Sequence, residues 1–186
     1  MYKSIIGAVC IVIGTILSNN INHPILSPIV FSVGILLVID LDLGLITRSV
    51  PSGDSSSKCC YTAMINIVVA LLLGLLLGDV GNYPTVLNVS FGGAVATGVI
   101  IGLVSVANKY SGRYTILITM ILMFSFVYLR LPHCVVYAFY LGALPMITWE
   151  GIWSVLVTIA GNVGGGLLVR FYVREMLFGD EISRNT

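Results

Sequence analysis

Charge is what this sequence lacks. Only 9 % of its 186 residues are charged, against about 25 % in a soluble domain. A water-facing surface cannot be built from so few charges. The nine basic and eight acidic residues nearly cancel, and a net charge of +1 gives nucleic acid no partner here. Histidine occurs twice, at His23 and His133, and cysteine four times, at Cys10, Cys59, Cys60 and Cys134. No cysteine stands at metal-ligand spacing from a histidine, so no metal or cofactor is expected. The cysteines fall in or beside apolar runs, where they read as small packing side chains rather than a disulfide framework. No H-E-x-x-H, G-x-S-x-G or paired-carboxylate pattern occurs, which argues against a membrane enzyme. What the sequence does have is apolar bulk: 58 % hydrophobic residues and a mean hydropathy of +1.04. These values describe an integral membrane protein.

The spacing of the few charges divides the chain. None occurs in Ser4–Ile39, Cys59–Gly78, Val80–Asn108, Tyr114–Leu129, Leu131–Trp149 or Gly151–Val169. A helix crossing the hydrocarbon needs about 20 mostly apolar residues. The first window holds two crossings, split by the polar turn Asn19–Pro24, and the windows flanking Arg130 join as one long or broken helix. Six crossings result, near Ile5–Ser18, Ile25–Thr47, Cys59–Gly78, Leu87–Ala107, Tyr114–Pro145 and Trp149–Leu177. No room remains for a soluble catalytic domain, so residues 1–186 read as a single transmembrane domain ending in a short cytoplasmic tail, 179–186. Lys3, Lys58, Lys109, Arg113, Arg174 and Arg184 fall on one side, and the loops Asn19–Pro24, Asp79–Val86 and Pro145–Glu150 carry no Lys or Arg. Because basic residues favour the cytoplasmic face, both termini are placed there.

Six crossings with both ends on one side divide into two halves of three, about 1–78 and 79–178, and the second half inserts inverted. Such folds interrupt corresponding helices near the midplane, and both halves carry an interruption. The second crossing runs from Phe31 to Ile39 and then meets Asp40, Asp42, Gly44 and Pro51. The fifth runs through Phe126 to Arg130-Leu131-Pro132-His133, where proline removes an amide donor. In each half an asparagine follows at similar spacing, Asn66 35 residues after Phe31 and Asn162 36 after Phe126. The fold class is therefore all-α, with six transmembrane helices in a 3+3 inverted repeat and interrupted second and fifth helices. The Gly74/Gly78 and Gly98/Gly102 pairs read as tight helix contacts. The run Gly161–Gly166, including Gly164 and Gly165, reads either as another tight helix contact or, because its helix propensity is poor, as an unwound pore-lining stretch that interrupts the last crossing.

Four stretches resemble the formate/nitrite transporter family of aquaporin-like channels. These are Phe31-Ser32-Val33-Gly34 through Leu45-Ile46-Thr47, then Tyr110-Ser111-Gly112-Arg113, Phe126-Val127 with His133 following, and Gly164-Gly165-Gly166-Leu167-Leu168-Val169. They lie in order along almost the whole chain. The resemblance implies a homopentameric channel of the cell (inner) membrane, embedded in the lipid bilayer, for small monovalent anions of weak acids such as formate, nitrite and hydrosulfide. It further implies that His133 is the central pore histidine and Thr47 the loop threonine beside it. Phe31 and Phe126 then form the outer constriction, and Leu45 and Ile46 the inner one.

An ionisable side chain inside a membrane is costly and normally faces a cavity or a partner, which supports a pore position for His133. Its reference pKa near 6.5 suits reversible protonation. Two roles fit it: passing a proton to the anion, or supplying a hydrogen bond alone. Arg130 is read either as snorkelling to an interface or as the positive charge that draws an anion in. One helical turn would put it on the same face as His133. Asp40 and Asp42 are expected to pair with Arg48 or Arg130, with capping of the loop by Asp42 as the alternative. An aquaporin-type pore for small neutral solutes is the competing function, because apolar constrictions around one hydrogen-bonding group suit both.

Overall fold

The computed structural model describes residues 1–80, 83, 84, 87, 89–110 and 112–183, without the side chains of 109, 110 and 174–183. Asn88, Ser111, Arg184 and the last three residues of the expected tail, 184–186, lie outside the described residues, as do the side chains of Lys109 and Arg174. All regular elements within that range are helices: α1 (Tyr2–Asn20), α2 (Leu26–Asp40), α3 (Ile46–Ser49), α4 (Ser56–Leu77), α5 (Phe91–Tyr110), α6 (Thr115–Tyr128), α7 (Cys134–Ala143) and α8 (Trp149–Ser183). Four of them, α1, α4, α5 and α8, are long and apolar enough to cross a membrane. The 15-residue α2 and 14-residue α6 span only about 22 Å at 1.5 Å per residue, less than the hydrocarbon thickness. Each is followed by a non-helical stretch and then another helix, short α3 or ten-residue α7.

The two stretches are built alike. At the end of α2 the amide of Leu43 donates to Val38 O and that of Asp42 to Ile39 O; at the end of α6 Leu131 donates to Phe126 O and Arg130 to Val127 O. This is the Schellman arrangement, which requires a left-handed residue at its centre. Asp42 (φ 49°) and Arg130 (φ 51°) occupy that position. Neither is glycine, and each holds a conformation costing an L-residue about 1–2 kcal/mol. The chain then extends through Leu45 (φ −132°) and His133 (φ −115°), which start α3 and α7.

Close approach of the long helices holds these segments in place. α5 packs along α8, α4 along α7, α1 on α2, and α2 on α6. Gly98 of α5 lies against the carbonyl of Asn162, and Gly165 of α8 against that of Val95. Gly74 of α4 meets the carbonyl of Phe139 on α7, while Gly142 meets that of Leu71. The GxxxG pairs therefore pack as expected, but the glycine run does not break its helix. α8 continues from Trp149 to Ser183 through Gly161–Gly166. Weak intrinsic propensity, about 1 kcal/mol per glycine, is offset by the contact with α5 that only a bare Cα allows. Gly161 and Gly165 make that contact, whereas Gly164 has no atom within 4 Å of where a Cβ would stand.

Candidate functional site

An interrupted helix leaves backbone groups without intrahelical partners, and hydrocarbon offers none. Two buried asparagines supply them. Asn66 of α4 accepts from the Ile46 amide at 2.9 Å through Oδ1, while its Nδ2 donates to Ser4 O at 2.8 Å and Gly44 O at 3.1 Å. Asn162 of α8 accepts from the Cys134 amide at 2.9 Å, and its Nδ2 donates to Ala94 O at 2.9 Å and Pro132 O at 3.1 Å. Each amide thus ties the first amide of the resumed helix to the carbonyl two residues earlier and to a neighbouring helix. The two side chains are 0 % and 1 % exposed. They act at the helix breaks by fixing backbone. A third group, Thr97, donates its hydroxyl to Pro132 O at 2.8 Å. The sequence pattern did not single it out; a hydroxyl in a charge-free window was its only signal. At the corresponding point of the first break, Gly44 O lies 2.6 Å from where a Cβ of Gly7 would stand, and the Ser4 hydroxyl of α1 lies 2.7 Å from where a Cβ of Gly44 would stand.

The breaks bring the candidate residues together. The Phe31 and Phe126 rings lie 5.8 Å apart, and the His133 ring meets Phe126 edge-on at 6.1 Å. His133 Nε2 is 3.3 Å from the hydroxyl of Thr47, which arrives from the other break. The second ring nitrogen, Nδ1, is buried and has no hydrogen-bond partner among the described residues. Leu45 and Ile46, directly before Thr47, are 2 % and 3 % exposed. Phe31, Phe126, His133 and Thr47 thus form one contiguous column, with Leu45 and Ile46 adjoining it in sequence.

A cavity of about 660 Å³ opens on the side of the two phenylalanines. Its wall includes Ser18, Asn19, Tyr137, Tyr140 and Arg130, with Phe31 and Phe126 also lining it. Asn19 Nδ2 donates to the Tyr140 hydroxyl at 2.9 Å, and the Ser18 and Ser27 hydroxyls share a 2.8 Å hydrogen bond. The wall is polar and, at Arg130, cationic. Arg130 is exposed in this vestibule, and the left-handed turn removes the helical repeat that would align it with His133. Phe126 lies between the vestibule and the His133 ring. Asp42 does not reach Arg130. It pairs instead with Arg48 at 2.8 Å and Lys3 at 2.9 Å, beside a second cavity of about 370 Å³ at the end of the molecule that carries Lys3 and Lys58.

Neither a scan against protein-family models nor a search of curated proteins gives a match. Among solved structures the chain is similar to one described as an FNT family ion channel. That structure has a TM-score of 0.67 and 17 % sequence identity, and the match covers 92 % of this chain and 86 % of that one. The chain shares the all-helical fold of that structure. The family suspected from the sequence motifs is that of this structural neighbour.

Proposed function

We propose that the chain is a membrane channel or transporter for small monovalent anions of weak acids, of the formate, nitrite and hydrosulfide class. The observation that carries this reading is the His133 ring. It is buried between an aromatic pair and a broken-helix threonine, with one nitrogen on Thr47 and the other uncommitted. A hydrogen-bonding group in an otherwise apolar passage is what a partly dehydrated anion needs. Arg130 in the vestibule supplies attraction before entry, and the Phe31–Phe126 pair strips water at the threshold. A weak acid reduces the cost of crossing by passing in protonated form, so formate crosses and sulfate does not.

The same proposal takes residues 1–186 as one transmembrane domain of six crossings, α2–α3 and α6–α7 each counting as one. The halves divide near residue 78, the second is inverted, and both termini face the cytoplasm of the cell (inner) membrane. The matched Schellman turns, the matched asparagine bonds and the basic residues at the Lys3 end support this arrangement. Assembly as a homopentamer, each protomer enclosing its own pore, rests on the family resemblance and is tested by mass in detergent; a stable monomer or dimer overturns it. The function is tested in proteoliposomes by comparing uptake of formate, nitrite, hydrosulfide, lactate and glycerol with and without a pH gradient. Uptake that favours the weak-acid anions and responds to the gradient supports the proposal. Glycerol uptake alone identifies a neutral-solute pore.

A further inference from the structure

Two arginines meet at the end of the molecule opposite the Arg130 vestibule. Gly166 of α8 packs on the turn after α3, where a Cβ would stand 3.2 Å from Pro51 Cδ and 3.3 Å from Val50 Cγ1. Four residues on, about one helical turn, the Arg170 guanidinium lies 3.7 Å from the Cβ position of Gly53. Gly53 has φ +84°, which glycine adopts without strain, so the turn can lie flat beneath the guanidinium. Gly102 of α5 meets Val169 of α8, and one turn further α5 brings up Ser105 and then Asn108. These close contacts leave a pocket of about 280 Å³ lined by Arg48, Ser52, Ser105, Asn108 and Arg170, among others. Among the described residues no carboxylate lines it.

We propose that this pocket binds a phosphate-type oxyanion, either free phosphate or the phosphate of a lipid headgroup. Arg48 is paired with Asp42, which lies outside the pocket, whereas Arg170 has no ion pair among the described residues. Arg170 offers five N–H donors in a planar fork. The side chains of Ser52 and Asn108 make no hydrogen bond among the described residues and add a hydroxyl and an amide donor. A carboxylate is satisfied by a single guanidinium, whereas a phosphate has oxygens enough for two arginines together with the hydroxyl and amide. The exposed Phe171 and Tyr172 beside Arg170 are side chains of the kind found at headgroup level. The pocket is separate from the His133 column, so its test is binding rather than flux, and its failure would leave the channel proposal standing.

Full-length protein in a zwitterionic detergent is titrated calorimetrically with inorganic phosphate and, separately, with short-chain phosphatidic acid. At least one probe is expected to bind saturably at one site per chain. Arg170→Leu should weaken that binding about tenfold or more, the worth of a charge-assisted hydrogen bond. Asn108→Leu should weaken it less. Arg113→Gln, which removes the same charge from an exposed residue outside the pocket, should leave it unchanged. Binding of phosphate alone identifies a soluble ligand, and binding of phosphatidic acid alone a headgroup. The proposal is overturned if neither probe binds, if Arg170→Leu binds like the wild type, or if Arg113→Gln weakens binding as much. Arg170 is exposed, so a melting curve like that of the wild type is expected for Arg170→Leu.

Discussion

Replacing Asn66 or Asn162 with alanine removes the same three hydrogen bonds from each break, and the two substitutions should cost about the same. Hydrogen bonds between helices in membranes contribute about 0.6 kcal/mol on average and up to about 1.7. Three of them give about 2–5 kcal/mol for either asparagine, before any penalty for unpaired backbone. That penalty is limited at both breaks. With Asn162 gone, Pro132 O keeps the Thr97 hydroxyl at 2.8 Å. With Asn66 gone, Gly44 is half-buried and lines the cavity at the Lys3 end, where water can take the place of the lost donor. An unsatisfied buried group costs about 1–3 kcal/mol, so a Thr97→Val, Asn162→Ala double variant should cost at least about 1 kcal/mol more than Asn162→Ala alone. The cavities left are equal, because the truncation is the same. Unfolding in mixed micelles with rising dodecyl sulfate measures the difference, with exposed Asn20→Ala as a reference expected to fall within about 0.5 kcal/mol of wild type. The reasoning is refuted if the double variant costs no more than Asn162→Ala, or if both single asparagine variants match Asn20→Ala.

Gly165→Ala would set a Cβ against the Val95 carbonyl and should lower stability by about 1–3 kcal/mol, measured by the same unfolding assay. Gly164→Ala meets open space and should be neutral or stabilising by up to about 1 kcal/mol. Arg130→Gly and Arg130→Leu should both reduce anion uptake relative to neutral-solute uptake. Only the glycine relieves the left-handed backbone, so it should be the more stable of the pair by roughly 1 kcal/mol. Joint Phe31→Ala and Phe126→Ala substitution should let measurable sulfate current through a passage that otherwise excludes it, as recorded in planar bilayers.

Charge spacing located the apolar segments closely because bilayer thickness sets their length, and a single Lys or Arg ends a window. Pro132 marked the non-helical stretch between α6 and α7, and the cluster from Asp40 to Gly44 the one between α2 and α3. The turns themselves were hidden: the left-handed position usually falls to glycine, and here it is held by Asp42 and Arg130. For the same reason the alignment of Arg130 with His133, argued from helical repeat, does not hold across the turn. Asn66 and Asn162 stood out as polar residues in apolar helices, but which backbone groups they satisfy depends on helices distant in sequence. Of the two readings of the glycine run, close packing is the one found at Gly161 and Gly165, because propensity describes an isolated helix whereas α8 is held by its contact with α5. Arg48 and Asp42 are near enough in the chain for their pairing to be foreseen. Lys3 joins them only because α1 returns to that end.

The central claim is that His133 faces a permeation path through each protomer, and formate flux across pH tests it most directly. Wild-type and His133→Asn protein are reconstituted in liposomes and uptake is followed from about pH 5 to 8, the interval that brackets an unperturbed histidine. Asparagine keeps a hydrogen bond for the anion but cannot titrate. The account predicts that uptake persists in the variant while its pH dependence becomes flatter than that of the wild type. Formate uptake with an unchanged pH profile in His133→Asn, or none above protein-free liposomes for the wild type, would contradict it.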